Sequence, residues 1–255
     1  MLTIDIITLF PSMFSGPFDK SIIKRAQEQN LVKINIHNLR DWAIDARGTV
    51  DDRPYGGGKG MILRPEPIFA AVEEIVGAGS PRPKNGSGNP IPTIILLTPQ
   101  GKLFNQKEAQ RLSKLKHLIL ICGHYEGVDE RVREHLVDKE LSIGDYILSG
   151  GETPAMVVTD AIVRLIPGVL DSEATTDESF SKQIKTRRDA INRASTFIEY
   201  SQYTRPPDFR GLKVPEILLS GNHEEIKKWQ KRKAVERTKR RRPDLLKHPS
   251  DAQKD

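Results

Sequence analysis

Two short runs of apolar residues constrain the fold of this chain more than any other feature. They are TIILLT at Thr93–Thr98 and HLILIC at His117–Cys122. Continuous apolar runs of this length are typical of strands that are covered on both faces. Because helical patterns alternate with such strands along the first two thirds of the chain, we predict an α/β fold. Its sheet should be mostly parallel, with helices on both faces.

The remaining elements of this part follow from the same kind of pattern. Further strands are predicted at Leu2–Thr8 and Val32–His37, and helices at Lys20–Gln29, from Pro65 to Gly77, at Gln106–Lys116 and at Asp129–His135. Residues 77–92 contain four Gly and four Pro in 16 positions, which predicts a flexible surface loop.

The positive charge of the chain is concentrated near its C-terminus. The net charge is +6, but residues 227–242 alone carry +9, so the rest of the chain is net negative. A helix is predicted here, because Asn222 followed by Glu225 is a capping-box pattern and Pro243 ends the segment. The charge density predicts phosphate contacts with a nucleic acid. Trp229, in the apolar stripe of this helix, is interpreted as a core residue.

Several classes of protein are excluded by composition. No apolar run approaches the roughly 20 residues that a membrane span needs, and the N-terminus lacks the features of a signal peptide. The single cysteine, Cys122, forbids an internal disulfide and a multi-cysteine zinc site, and is interpreted as an inert strand residue. Gly56–Lys59 is not a P-loop, because Gly60 stands where Ser or Thr should be. We expect a cytoplasmic protein.

Three segments rich in Gly, Tyr and charged residues follow or join the predicted elements. They are Thr49–Gly60, Cys122–Arg131 and Ser142–Glu152. Ligands of parallel sheets bind in loops beyond the carboxyl ends of the strands, where Gly lets the backbone approach a ligand closely. Three ordinary tight turns are the alternative interpretation. Their joint occurrence favours a binding site.

These segments also carry a resemblance to a known family. The motifs are DDRPYGGGxGM at Asp51–Met61, LTPQG at Leu97–Gly101, CGxYEGxDERV at Cys122–Val132, SIGDYxLSGGExPAM at Ser142–Met156, RxIPGVL at Arg164–Leu170 and LLSGNHxEI at Leu218–Ile226. In this order, and over nearly the whole chain, the sequence resembles the bacterial tRNA (guanine-N1)-methyltransferases of the SPOUT superfamily. Those enzymes methylate N1 of the guanine immediately 3′ of the anticodon.

The resemblance implies an architecture that pattern analysis does not give. It implies a SPOUT catalytic domain at residues 1–167 with a trefoil knot at its C-terminal end, a linker at 168–187, and a small helical tRNA-binding domain at 188–255. It also implies S-adenosylmethionine as cofactor, dependence on Mg²⁺, and a homodimer whose active site is shared between subunits. No dedicated metal site is expected from the sequence.

The resemblance assigns the cofactor to three loops. The residues carried over are Leu97, Thr98 and Pro99; Gly123, Tyr125 and Glu126; and Ile143, Gly144, Asp145, Tyr146, Ile147, Leu148, Gly150, Gly151 and Pro154. Glu126 is the expected partner of the cationic methionine end of the cofactor.

Catalysis by the family implies a base and a cation. The base is an Asp in the interdomain linker just before Ser-Phe, and here residue identity indicates Asp177, whereas the position of Ser-Phe indicates Glu178. We predict Asp177 as general base and Arg164 as the cation that stabilises negative charge on guanine O6. Asp51, Arg53 and Gly57–Gly58 match a loop that faces tRNA and the partner subunit, and Ser172 or Thr175 is a weaker candidate for an RNA contact.

Two other functions remain open at this point. Another SPOUT enzyme could methylate a ribose 2′-OH or a different base, although a linker carboxylate and Arg164 fit deprotonation of a ring nitrogen better. A non-catalytic RNA-binding protein could use the same basic segment. It would need neither three intact loops nor the linker carboxylates.

Overall fold

The structure, a computed structural model, describes residues 1–77, 92–171, 175, 178–181, 183–184 and 195–246. They fall into two compact units, Met1–Leu170 and the residues from Asp171 onward. No helix in these described ranges is long and apolar enough to cross a membrane. Apart from its two end residues, the predicted loop at 77–92 lies outside the described residues.

The first unit alternates strands and helices. In chain order it contains β1 (Leu2–Thr8), α1 (Ser21–Glu28), β2 (Val32–Asn38), β3 (Asp51–Asp52), β4 (Ile62–Leu63), α2 (Pro65–Val76), β5 (Thr93–Leu103), α3 (Gln106–Leu112), β6 (His117–Cys122), α4 (Glu130–His135), β7 (Lys139–Ser142) and α5 (Glu152–Val163).

Five of these strands form one sheet in the order β2-β1-β6-β5-β7, and every neighbouring pair is parallel. The predicted α/β class with a mostly parallel sheet is therefore confirmed. The two apolar runs that predicted it form β6 and β5 in the interior of the sheet. The short strands β3 and β4 form a separate antiparallel pair.

Each face of the sheet packs against its own helices. On one face, Ile4 and Leu118 pack with residues of α1, α3 and α5. On the other, Ile7 and Ile119 pack with residues of α2 and α4. Alternate residues of one strand enter opposite clusters because successive side chains of a strand point to opposite faces. Full burial of each such side chain contributes about 1.5–3 kcal/mol.

Asp5 is the polar exception within this sheet. It is 3% exposed and lies in the middle of β1. Its Oδ1 accepts a hydrogen bond from Asn35 Nδ2 at 2.8 Å and lies 2.6 Å from His37 Nε2, while its Oδ2 lies 2.6 Å from His117 Nε2. Burial disfavours the charged carboxylate, but the hydrogen bonds, led by that of His117, outweigh burial and hold the pKa of Asp5 far below its ordinary value.

Two boundaries differ from the predictions by more than one residue. The strand predicted to end at Thr98 continues to Leu103, because its pairing with β7 resumes after a change of register. The helix predicted to reach Lys116 ends at Leu112, with Asn105 as its N-cap. The end of β5 is set by its pairing with distant residues of β7, which periodicity along the chain does not report.

The second unit contains β8 (Gln183–Ile184), β9 (Ser195–Thr196), β10 (Asp208–Phe209), β11 (Leu212–Lys213), α6 (Glu216–Leu219) and α7 (His223–Arg241). The strands form two short antiparallel pairs, β8 with β9 and β10 with β11.

The long helix α7 begins as predicted. Asn222 Oδ1 accepts the backbone N–H of Glu225 at 3.3 Å, which confirms the N-cap. The Glu225 carboxylate pairs instead with Lys228 at 2.7 Å, and the backbone N–H of Asn222 donates to Ser220 Oγ. Trp229 is 8% exposed, so its interpretation as a core residue is confirmed.

Candidate active site

A cleft opens at the carboxyl edge of the sheet, where three loops meet. The first loop interrupts β5, and the other two follow β6 and β7. The predicted cofactor residues that line the cleft are Leu97, Thr98, Pro99, Gly123, Tyr125, Glu126, Ile143, Gly144, Tyr146, Ile147, Leu148, Gly150, Gly151 and Pro154. Within the described part of the chain, Asp145 lies on the third loop but outside the cleft lining. The fold thus brings together three segments that are distant in sequence, at the edge where parallel sheets bind ligands.

The first loop is an interruption of β5. Leu97 and Lys102 both have Leu141 of β7 as their pairing partner, so residues 98–101 loop out between them. Pro99 cannot donate a backbone hydrogen bond to a neighbouring strand. At Gly101 the chain returns so close to β7 that a Cβ there would lie 2.5 Å from the Leu141 nitrogen.

The second loop is held by its backbone. The Glu126 N–H donates to the carbonyl of Met61 at 3.0 Å, and the Gly127 N–H donates to the carbonyl of His124 at 3.0 Å. Tyr125, which lies between His124 and Glu126, has a φ of 57°, in the left-handed region that non-glycine residues rarely adopt. Strain of this kind is found at binding sites where the surroundings enforce it.

The third loop is held by hydrogen bonds within itself and by one to the second loop. Ser142 Oγ donates to the carbonyl of Gly144 at 3.0 Å, and the N–H of Gly144 points back to the same Oγ at 3.2 Å. The N–H of Gly151 donates to the carbonyl of Gly123 at 2.8 Å. Between these anchors, the side chains of Tyr146 and Ile147 are exposed. The loop therefore presents backbone polar groups and apolar side chains side by side.

A buried carboxylate begins the helix that follows the third loop. Glu152, the first residue of α5, is 2% exposed, and Thr8 Oγ1 donates to its Oε1 at 2.7 Å. The same Thr8 oxygen accepts the N–H of Phe10 at 2.9 Å. Burial raises the pKa of the nearby Cys122 thiol well above its ordinary value, and the negative charge of Glu152 adds to the effect. Since the thiolate is the reactive form, Cys122 is inert, as predicted.

Of the two predicted catalytic residues, Arg164 is described and is not among the residues that line the cleft. Arg164 is the C-cap of α5, and its N–H donates to the carbonyl of Asp160 at 3.2 Å. Asp177 lies outside the described residues, as does Ser172. Glu178 is described, and its carbonyl accepts the N–H of Ser181 at 3.2 Å.

The Ser-Phe pair that follows Glu178 is fixed within the second unit. The N–H of Ser179 donates to Glu199 Oε1 at 3.1 Å, and the N–H of Phe180 donates to the carbonyl of Phe197 at 2.9 Å. The guanidinium of Arg242 lies over the Phe180 ring, 5.8 Å from its centroid.

Sequence analysis did not identify three polar residues of the cleft. Arg133, Gln100 and His124 line it, and none was a candidate. Arg133 belongs to a charged helix whose pattern is typical of a solvent-exposed surface, so the sequence held no signal to single it out. His124 lies inside a quoted motif at a position where the motif is variable.

The second unit carries the predicted basic surface on α7. Several of its cations, such as Lys231 and Lys239, are exposed, whereas Lys233 is paired with Glu236 at 2.8 Å. A groove beside the helix is lined by Arg237, Arg241 and residues 198–202. Across the described residues, no group of three or more His, Cys, Asp or Glu is placed to hold a metal ion.

Comparison with known proteins identifies the family of this chain. The sequence profile of the family described as "tRNA (Guanine-1)-methyltransferase TrmD" matches residues 2–248. A tRNA (guanine-N(1)-)-methyltransferase of Dictyoglomus turgidum is 53% identical over 100% of this chain and 94% of its own length. Proteins of the same name from Geobacillus kaustophilus (53% identical; 96% of this chain, 91% of the relative) and Bacillus subtilis (48%; 97% and 94%) are similar over comparable spans. The chain therefore belongs to the tRNA (guanine-1)-methyltransferase TrmD family.

Proposed function

We propose that this protein transfers a methyl group from S-adenosylmethionine to N1 of the guanine immediately 3′ of the anticodon in tRNA. The observation that carries the proposal is the convergence of three motif-bearing loops on one cleft at the carboxyl edge of the sheet. Membership of the TrmD family supports the same activity.

The cleft fits the chemistry of this cofactor. We expect the adenine to be read by backbone groups of the third loop that take no part in its internal hydrogen bonds, and the exposed Ile147 offers an apolar surface to its ring. Glu126 supplies the anion for the cationic methionine end. When bound, S-adenosylmethionine supplies an electrophilic methyl group on a sulfonium centre.

The protein must remove a proton from guanine N1, which is protonated at neutral pH. We assign this role to the carboxylate of Asp177, with Glu178 as the alternative set by the position of Ser-Phe. The proton would pass from N1 to a carboxylate oxygen, leaving a lone pair on N1 for the new bond. Arg164 would stabilise the negative charge that develops on O6.

The tRNA would be held by phosphate contacts outside the cleft. The exposed cations of α7 and the groove with Arg237 and Arg241 are the proposed contact surface. Arg237 Nη1 donates to Ser201 Oγ at 3.1 Å, which orients its guanidinium in that groove. Asp51, Arg53 and Gly57–Gly58 would contact tRNA or a partner subunit from the first unit.

The knot, the domain boundaries, the cellular location and the oligomeric state are also part of the proposal. We infer a trefoil knot in the catalytic domain (residues 1–167), a linker (168–187), a helical tRNA-binding domain (188–255), and a cytoplasmic homodimer with a shared active site. The homodimer is inferred from the family resemblance. Mg²⁺ would act together with the tRNA substrate, since family resemblance implies it.

The experiment that tests the activity measures transfer of labelled methyl groups to an unmodified tRNA that carries a guanine beside its anticodon. Wild type, Asp177→Ala and Glu178→Ala are compared, with S-adenosylmethionine binding as control for each. Loss of transfer in Asp177→Ala alone, with cofactor binding retained, supports Asp177 as base. Loss in Glu178→Ala alone assigns the base to Glu178.

Mass analysis of the product RNA separates the alternatives. A methyl group on guanine N1 supports the proposal, whereas a methyl on a ribose 2′-OH or another base indicates a different SPOUT reaction. Wild-type protein that binds tRNA without transferring methyl would be a non-catalytic RNA-binding protein.

A further inference from the structure

We infer that Arg133 is a positioning residue for the cofactor cleft, which it shapes by tying the first loop to β7. This rests on the proposed function, in which the cleft binds S-adenosylmethionine. Arg133 lies in α4, its side chain is 12% exposed, and it lines the cleft between the first and second loops.

The guanidinium of Arg133 joins two structural elements. Its Nη1 donates to Glu140 Oε2 of β7 at 2.6 Å and to Gln100 Oε1 of the first loop at 2.7 Å. Its Nη2 donates to Thr98 Oγ1 at 3.4 Å. Thr98 and Gln100 flank Pro99, so these contacts hold the loop on both sides of Pro99, one of the residues predicted to contact the cofactor.

The loop needs such a contact because it is looped out of its strand. Residues 98–101 lie between two pairings with the same residue of β7, so they take no part in the ladder of the sheet. A looped-out segment gains conformational freedom unless side chains hold it, and a ligand that requires one conformation is then bound less tightly. Arg133 supplies this restraint from a neighbouring helix.

Only an arginine is suited to the arrangement. Its planar fork directs several N–H groups along fixed directions, so one side chain serves Glu140 and the loop at once. A lysine could keep the ion pair with Glu140, but its single ammonium could not serve Glu140 and the loop at once. We therefore expect Arg133→Lys to retain thermal stability and to lose cofactor affinity.

The test compares full-length wild type with Arg133→Ala, Arg133→Lys and Gln100→Ala. The control is Arg111→Ala, because Arg111 lies on α3, is 46% exposed and pairs with Glu108 rather than with the loop. Calorimetric binding of S-adenosylmethionine, KM and kcat for both substrates, the melting temperature and hydrogen exchange of the 98–101 amides are measured.

We expect both Arg133 variants to bind S-adenosylmethionine about tenfold more weakly, with faster exchange of the loop amides. Their kcat at saturating cofactor and their KM for tRNA should stay within about twofold of wild type, and Arg111→Ala should behave as wild type. Gln100→Ala should show a smaller loss, because it removes only one of the contacts that Arg133 makes with the loop.

Two results would overturn the inference. If Arg133→Lys and Gln100→Ala bind the cofactor as tightly as wild type, Arg133 has no positioning role, while the proposed function stands. A wild-type protein that fails to bind S-adenosylmethionine would remove the proposed function itself, and the positioning role with it.

Discussion

Gly151 packs directly against the backbone of Cys122 at the end of β6. A Cβ at Gly151 would lie 2.6 Å from the Cys122 Cα and 2.8 Å from the Gly123 nitrogen. Atoms of the main chain cannot move aside as a flexible side chain can. This close approach, together with the hydrogen bond from the Gly151 N–H to the Gly123 carbonyl, fixes the third loop on the second.

We predict that Gly151→Ala destabilises the protein by about 1–3 kcal/mol, because the added methyl group must push two backbone segments apart. Urea denaturation measures the loss, and binding of S-adenosylmethionine should weaken as well. Gly123→Ala is the matched control, because its Cβ would meet only the Leu97 carbonyl oxygen, at 3.4 Å. Equal stability of the two variants would show that the close approach has no energetic consequence.

Thr8→Val is expected to lower the free energy of unfolding by about 1–3 kcal/mol. The substitution removes the hydroxyl that donates to Glu152 and accepts from the Phe10 N–H, and so leaves two groups without this partner. Thr3→Val, in the same strand, keeps these bonds and serves as control. Chemical denaturation of both variants tests the prediction, which fails if they are equally stable.

Asp5→Asn should lower the free energy of unfolding by about 2 kcal/mol at pH 7, because it removes charge-assisted hydrogen bonds between the buried carboxylate and the partly exposed His37 and His117. The pKa of Asp5 is lower in the folded protein than in the unfolded chain. Its stabilising effect is therefore present above about pH 4 and is lost as the pH falls toward the folded-state pKa.

The measurement is urea denaturation of wild type and Asp5→Asn from pH 7 down to the acid limit of stability. The difference in free energy between them should shrink below about pH 4. Asp41→Asn, at an exposed position, should match wild type throughout. A difference that stays constant with pH would contradict a lowered pKa of Asp5 in the folded protein.

Neutralisation of α7 should weaken tRNA binding in a salt-dependent manner. For the double variant Lys231→Gln and Lys239→Gln, we expect lower affinity, and a slope of log K against log salt that is smaller by about 0.7–0.9 for each phosphate that the variant no longer neutralises. Filter binding at several salt concentrations measures both quantities. Lys24→Gln in α1 is the control, and an unchanged slope in the α7 variant would place the RNA-binding surface elsewhere.

Local sequence patterns were sufficient for much of the architecture. The runs at Thr93–Thr98 and His117–Cys122 predicted two interior strands, because a short, continuous apolar run is typical of a strand covered on both faces. Asn222 predicted the start of α7, because a side-chain cap acts within a few residues. The predicted cofactor residues lie together for a similar reason, since their motifs follow strands whose carboxyl ends share one edge.

Tertiary structure alone decided the features that join distant parts of the chain. The looped-out segment after Leu97 depends on two pairings with Leu141, and nothing within TIILLTPQGKL indicates them. Arg133 was indistinguishable in sequence from surface arginines until the fold placed it beside Gln100 and Glu140. The sequence therefore determined the class of fold and the segments that form the cleft, because strand and cap signals act over short distances. The side chains that hold those segments in place were decided by interactions between residues far apart in the chain, which no local pattern encodes.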